Sequence, residues 1–276
     1  MNRPTRTLRL AVLGGAILTT VVAVAAGAAE LSDEEQEQFL LDAKLEKYRS
    51  ISTGVTGTKR LTLTNGELTH DAHFQSIDVS KTRFETPLGV EMLFRDCYKF
   101  NIAAYRLDRL INLNMIPTSV ERRLLGQKGS VTWWVDDVQM MELERQKKNI
   151  QPPDPVEWND QMYQIRVFNE LVYNTDPNLG NLLITKDWRI RLIDFSRAFR
   201  LYKTLRNEGN LGRIDRRVYE GLKSLDLATL TRELGELLRK PEIEAILARR
   251  DKIVQFFDEK VAHEGEAAVF CDQEGH

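Results

Sequence analysis

Residues 174–200 read NTDPNLGNLLITKDWRIRLIDFSRAFR, and the placement of three oxygen-bearing side chains in that stretch decides the fold. Asp176 precedes Asn181 by five residues, and an apolar run through Leu192-Ile193 delivers Asp194. Phosphoryl transfer needs a carboxylate that takes or orients the acceptor proton, and oxygen ligands for Mg²⁺ that bridge to the nucleotide phosphates. Asp176 fits the first role, and Asn181 with Asp194 fits the second. No short peptide brings all three side chains to one phosphorus atom directly, but a hairpin does. Residues 182–184 read as one strand, Lys186-Asp187 as the turn, and 189–193 as the returning strand, so both ends meet at one place. Upstream, Met162, Ile165, Phe168, Leu171 and Val172 recur at helical spacing and predict a buried helix running into the Asp176 loop. The plainer reading of residues 176–181 is an ordinary turn. The strand and the Ile-Asp-Phe tip that follow argue for a site.

The chain has 276 residues, 42% hydrophobic and 29% charged, enough for one large or two small lobes of a globular protein. Its first 29 residues read as an export signal: Arg3, Arg6 and Arg9, an uncharged run over 10–25, then Ala26-Gly27-Ala28 for a signal peptidase. The alternative is an uncleaved membrane anchor over residues 10–29, facing outside. Cleavage removes three arginines and no acid, taking the formal charge from -2 to -5. Such a balance argues against nonspecific nucleic-acid binding. Cys97 and Cys271 are either one disulfide or two buried thiols. Two cysteines exclude a cysteine-built metal site, and the four histidines lack zinc-ligand spacing.

Between the signal and the site, residues 31–48 have helical spacing and an acidic, polar surface, so 30–49 is expected to be a helical extension. Residues 50–56 and 60–64 read as strands, Asn65-Gly66 as a hairpin turn, and 67–77 as the next strand. Gly54 and Gly57 either let backbone amides approach phosphates or simply make a turn. A helix is expected over 89–112, with Phe100, Ala103, Ala104, Leu107, Leu110 and Ile111 as its apolar face. A second hairpin follows, with strands at 120–125 and 130–135 and its turn at Gln127-Lys128-Gly129. The change to polar text after Val135 predicts a lobe boundary: a β-rich lobe over 50–136, a mainly helical lobe over 137–276, and nucleotide in the crevice between them. In the second lobe, Leu227 to Leu238 and Ile243 to Phe257 carry helical core faces, and Arg249-Arg250-Asp251 is expected to be a solvated cluster. Arg197, Arg200 and Lys203 are either exposed loop charges or a surface for an acidic acceptor.

Over about residues 50–200 the chain resembles the atypical protein-kinase-like superfamily, within it the secretory-pathway kinases that include the Golgi casein kinase. The likeness rests on Ala72-His-Phe-Gln75, on Ile102-Ala-Ala-Tyr-Arg-Leu-Asp-Arg-Leu-Ile111 followed by Ile116-Pro117, and on the Asp176 to Asp194 hairpin. The 176–181 loop is similar to the phosphoinositide-kinase-like and small-molecule phosphotransferase branches. The resemblance implies a two-lobed α+β fold, ATP, and Mg²⁺ or Mn²⁺. It also implies that Gln75 and Asn101 stand where the family has the nucleotide-pairing Lys and its Glu partner, and that Ser196 replaces the Gly of the D-F-G triplet.

Two functions follow. One is an exported phosphotransferase acting on a protein, lipid or small-molecule acceptor, with another lysine, Lys59, Lys81 or Lys99, supplying the lost charge. The other is a pseudokinase that binds nucleotide or a partner without turnover, favoured by the neutral Gln75 and Asn101 and by the scarcity of ATP outside the cytoplasm.

Overall fold

Alternating apolar residues build the first sheet of the computed structural model, which describes residues 31–51, 58–86 and 89–271. Helix α1 (Asp33–Asp42) opens on a capping box: the Ser32 hydroxyl accepts from the Glu35 N–H, and the Glu35 carboxylate accepts from the Ser32 N–H. It stops seven residues short of the end of the expected helical extension. Ala43 is extended, and the chain continues as strand β1 (Lys44–Ser50). The segment has helix-forming residues, but pairing with β2 (Lys59–Thr64) overrides that propensity. Its exposed lysines, Glu46 and Arg49 suit a sheet edge. The Asn65-Gly66 turn is as expected: Asn65 Oδ1 accepts from the N–H groups of Glu67 and Leu68, and Gly66 has φ 96° before β3 (Thr69–Gln75).

Residues 89–97 are not helical. They form β5 (Gly89–Cys97), which pairs antiparallel with β4 (Asp78–Thr86), and only at Lys99 does α2 (Lys99–Leu110) begin. The apolar helical period itself starts at Phe100, so the expected helix is right in its face and ten residues early in its start. Strands β6 (Ser119–Leu124) and β7 (Gln127–Trp133) follow. Their turn is Leu125-Gly126, at φ 52° and 79°, two residues before the expected one. Gly129 instead serves a close approach: a Cβ there would fall 2.5 Å from the Gln75 carbonyl oxygen and 2.6 Å from the Phe74 ring.

The five strands lie in the order β1-β2-β3-β7-β6. Leu61, Leu63, Ala72, Phe74, Val120 and Val131 face α1, where Phe39, Leu40 and Ala43 complete a small core. The register puts Arg60, His73 and Thr132 side by side on the opposite face, with Gln75 beside Ser130. Trp133 and Trp134 diverge as neighbours on a strand must. Trp133 packs on Phe39, while Trp134 lies under the Arg60 guanidinium at 4.0 Å.

A second core lies within residues 97–270. Its small sheet, in the order β10-β9-β8, joins β8 (Val138–Met141), β9 (Leu182–Thr185) and β10 (Ile190–Leu192). β8 extends the expected pair and is too short to read from sequence. Helix α3 (Glu142–Lys147) leads to α4 (Pro155–Leu171), whose N-cap Asp154 accepts from the N–H groups of Val156 and Glu157. Helices α5 (Arg216–Ser224), α6 (Leu227–Leu234), α7 (Lys240–Glu264) and α8 (Glu266–Val269) complete it. Phe100, Ala103 and Leu107 of α2 and its C-cap Ile111 belong to this core, packed with Phe168, Leu171, Leu192 and Ile246. Each such buried side chain contributes on the order of 2 kcal/mol.

Two expectations about charge are corrected here. Arg249 is fully buried, not solvated; it donates to the carbonyls of Leu171 at 2.7 Å, Arg200 at 3.0 Å and Tyr202. Burial pushes its pKa down to about 9. Arg200 is also buried, tied to Glu91 at 2.6 Å and to the Arg95 carbonyl. Cys97 and Cys271 are free, buried thiols whose pKa values burial raises to about 11 and about 12.

Candidate active site

The hairpin meets at its ends, as its spacing predicts. Asn181 closes a short 3₁₀ turn, Leu179–Asn181, that Asn178 caps by accepting from the Gly180 N–H at 2.8 Å. β9 then leaves and β10 returns. The Ile193 N–H donates to the Asn181 carbonyl at 3.0 Å, so the chain at 181 and the chain entering 194 lie side by side at the open end of the hairpin. Asp194 is exposed and adopts φ 58°, a left-handed conformation that turns the chain sharply after β10. The Ser196 N–H reaches back to Asp194 Oδ1 at 3.4 Å.

The Asp176 loop is laced to the same turn. Helix α4 ends at Leu171, Tyr173 turns the chain at φ 46°, and Asn174 Oδ1 accepts from the Asp176 N–H at 3.0 Å. The Thr175 hydroxyl donates to the Arg197 carbonyl at 2.9 Å. Arg197 Nη1 in turn lies 3.4 Å from Asp176 Oδ2. Asp176 keeps half of its side-chain surface open to solvent, so an acceptor group can reach it.

Gln75 and Asn101 face one another. Asn101 Nδ2 donates to Gln75 Oε1 at 2.5 Å and lies 3.4 Å from Ser130 Oγ, while Asn101 Oδ1 accepts from the Phe195 N–H at 2.7 Å. One buried amide therefore joins β3, β7, α2 and the residue after Asp194. Being neutral, the pair needs no counter-charge. The three lysines weighed as replacements lie elsewhere. Lys59 sits over the Phe74 ring on the face opposite Gln75, Lys81 over the Phe84 ring, and Lys99 donates to the Glu236 carbonyl at 3.1 Å. Gly54 and Gly57 lie outside the described residues, as do residues 1–30.

Sequence reasoning passed over two residues. His73 shares the face of Gln75, two positions back along β3; burial lowers its pKa and the nearby Asp194 charge opposes that shift. Period-2 counting from Gln75 would have found it. Asp96, at the end of β5, is buried; burial raises its pKa, Ser196 opposes the shift and Asp194 adds to it. The Cys97 N–H, bonded to the Ser196 carbonyl at 2.9 Å, holds this strand end against the Asp194 turn. No sequence pattern marks Asp96, because the contact joins segments about a hundred residues apart.

No group of three or more His, Cys, Asp or Glu side chains among the described residues is arranged to hold a metal. Asn181 and Asp194 bring one amide oxygen and one carboxylate to the open end of the same hairpin. Mg²⁺ takes few protein oxygens and completes its shell with substrate phosphates and water, so this donor set fits it.

No family model matches the sequence, and no curated protein matches it. The fold does match solved structures. That of hydra Fam20 with sugar superposes with a TM-score of 0.64 at 14% identity, covering 88% of this chain and 93% of that one. The Golgi casein kinase gives 0.60 at 13% identity over 86% of this chain and 78% of its own. Its structure with Mn/ADP bound gives 0.60 at 14%, over 88% and 80%. The chain therefore has the two-lobed α+β fold of the atypical kinases that Fam20 and the Golgi casein kinase represent.

Proposed function

We propose that this chain is an exported kinase-like phosphotransferase that moves the γ-phosphate of ATP to an acceptor hydroxyl. The observation that carries the reading is the convergence of Asp176, Asn181 and Asp194 through the Ile193–Asn181, Thr175–Arg197 and Arg197–Asp176 contacts. In this reading the acceptor oxygen attacks the γ-phosphorus, its proton passes to the Asp176 carboxylate, and the bond to the β–γ bridging oxygen breaks with its electron pair on ADP. Asn181 and Asp194 would hold Mg²⁺ or Mn²⁺, whose chemistry is to neutralise charge on the phosphates. The Golgi casein kinase structure with Mn/ADP supports that pairing of nucleotide and metal. A protein, a lipid and a small molecule such as a sugar are all acceptor classes for this chemistry, and the net negative charge argues against nucleic acid as a partner.

In the same proposal residues 1–29 are a cleaved signal and 50–136 and 137–276 the two lobes, with α1 and β1 of the 30–49 segment built into the first lobe's core and sheet. Membrane contact arises only if the signal stays attached; among the described residues no helix is long and apolar enough to cross a membrane.

The buried, neutral Gln75–Asn101 pair favours a second reading, a pseudokinase that binds nucleotide or a partner without turnover. ADP release decides between them. The purified mature chain is incubated with ATP and Mg²⁺ or Mn²⁺, with and without casein-like proteins and sugars. Release that an acceptor accelerates and Asp176→Ala abolishes supports the phosphotransferase; nucleotide binding without release supports the pseudokinase.

A further inference from the structure

A phosphotransfer site needs fixed positive charge near the γ-phosphate, and here the third strand offers an uncharged amide at Gln75. Lys59, Lys81 and Lys99 are turned to other partners, and burial disfavours the charged form of His73 while the Asp194 charge opposes that shift. Among the described residues, the cation that meets the candidate base is Arg197, 3.4 Å from Asp176 Oδ2.

Its surroundings suit a mobile guanidinium on a fixed root. The Arg197 carbonyl is held by the Thr175 hydroxyl at 2.9 Å, so the side chain springs from a set point between Asp176 and Asp194. The guanidinium rests over the Phe94 ring at 5.2 Å, with Glu91 Oε2 at 3.6 Å. Both ionic contacts are long, and 27% of the side chain remains exposed. Glu91 does not rely on Arg197, because Arg200 Nε already lies 2.6 Å from its other oxygen. A planar guanidinium pairs two phosphoryl oxygens at once, a geometry that neither contact with Asp176 nor with Glu91 satisfies now.

We propose that Arg197 is a catalytic residue: with nucleotide bound, its guanidinium leaves Asp176 and pairs with the γ-phosphoryl oxygens, taking the electrostatic role that Gln75 cannot. The same movement frees the Asp176 carboxylate to accept the acceptor's proton. This inference rests on the phosphotransferase reading.

The test compares the parent chain with Arg197→Gln, which keeps a donor toward Asp176 without charge, and Arg197→Lys, which keeps the charge without the fork. Steady-state ADP release is expected to show kcat falling on the order of 10²–10³-fold in Arg197→Gln, with KM for ATP changing far less, and Arg197→Lys in between. Thermal shift supplies a second readout. ADP, Mg²⁺ and aluminium fluoride, which mimics the transferring phosphoryl group, should stabilise the parent beyond ADP and Mg²⁺ alone, and Arg197→Gln should lose only that extra stabilisation. An active parent whose Arg197→Gln variant keeps kcat within about threefold overturns the role of Arg197 and leaves the phosphotransferase reading standing. A parent that binds nucleotide but releases no ADP overturns both.

Discussion

Asn101 Oδ1 accepts the N–H of Phe195 at 2.7 Å, which fastens helix α2 to the residue directly after Asp194. The same amide donates to Gln75, so its loss removes two buried hydrogen bonds at once. Asn101→Leu is expected to destabilise the fold by about 2–4 kcal/mol, read by urea unfolding. Asn101→Asp keeps the acceptor for Phe195 but loses the donor to Gln75 and buries an unpaired carboxylate, so it too should lower stability, with a loss that eases as pH falls. Equal stabilities for the parent and Asn101→Leu would show that the amide does not fasten the helix.

The facing geometry of Gln75 and Asn101 makes the missing ion pair restorable. Gln75→Lys alone buries an unpaired charge and should lower stability, while adding Asn101→Glu should recover most of that loss. The double variant is expected to raise ADP release on the order of 10²-fold, and Asp176→Ala in that background should abolish it. Unchanged nucleotide affinity and turnover in a folded double variant would remove positions 75 and 101 from the nucleotide site.

Ligand binding to the native state raises its apparent stability, so metal dependence is visible without turnover. ATP with Mg²⁺ or Mn²⁺ should raise the Tm of the parent more than ATP alone. Asp194→Ala should keep the smaller shift and lose the difference. Identical shifts with and without metal in the parent would count against Asn181 and Asp194 as ligands.

A buried acid beyond the site sets a pH dependence. Asp108 of α2 is fully buried beside Arg109, its Oδ1 accepts from the Met115 N–H at 2.9 Å, and burial raises its pKa from 3.8 to about 6. The folded chain keeps this proton to a higher pH than the unfolded chain. The group's contribution is therefore complete below about pH 4 and is lost as pH rises toward 6, on the order of 2–3 kcal/mol. Asp108→Asn keeps an acceptor for Met115 and should flatten that limb of the stability curve. An unaltered pH 4–6 slope in urea unfolding would contradict the assignment.

The hairpin that carries the candidate site was legible because its spacing is local. Asp176, Asn181 and Asp194 fall within nineteen residues, and turn residues, apolar alternation and a polar turn dictate the hairpin that gathers them. Asn65-Gly66 was legible for the same reason. What escaped depends on partners distant in the chain. Residues 44–50 form a strand only because β2 lies alongside, and 89–97 only because β4 does. Arg249 looks like any charged helix residue until three carbonyls from α4 and the 200–202 segment close around it. Asp96 and Arg197 likewise acquire meaning from contacts that no spacing rule encodes.

The left-handed turn at Asp194 sets the interest of the fold against the interest of the chemistry. At φ 58° any side chain with a Cβ is mildly strained, and glycine would relieve that strain by up to about 1 kcal/mol. A population of variants screened only for heat resistance would thus drift toward Gly at 194 and shed the carboxylate proposed as a metal ligand. If Asp194 is the metal ligand proposed above, a screen for stability and a screen for phosphotransfer would pull this single position in opposite directions.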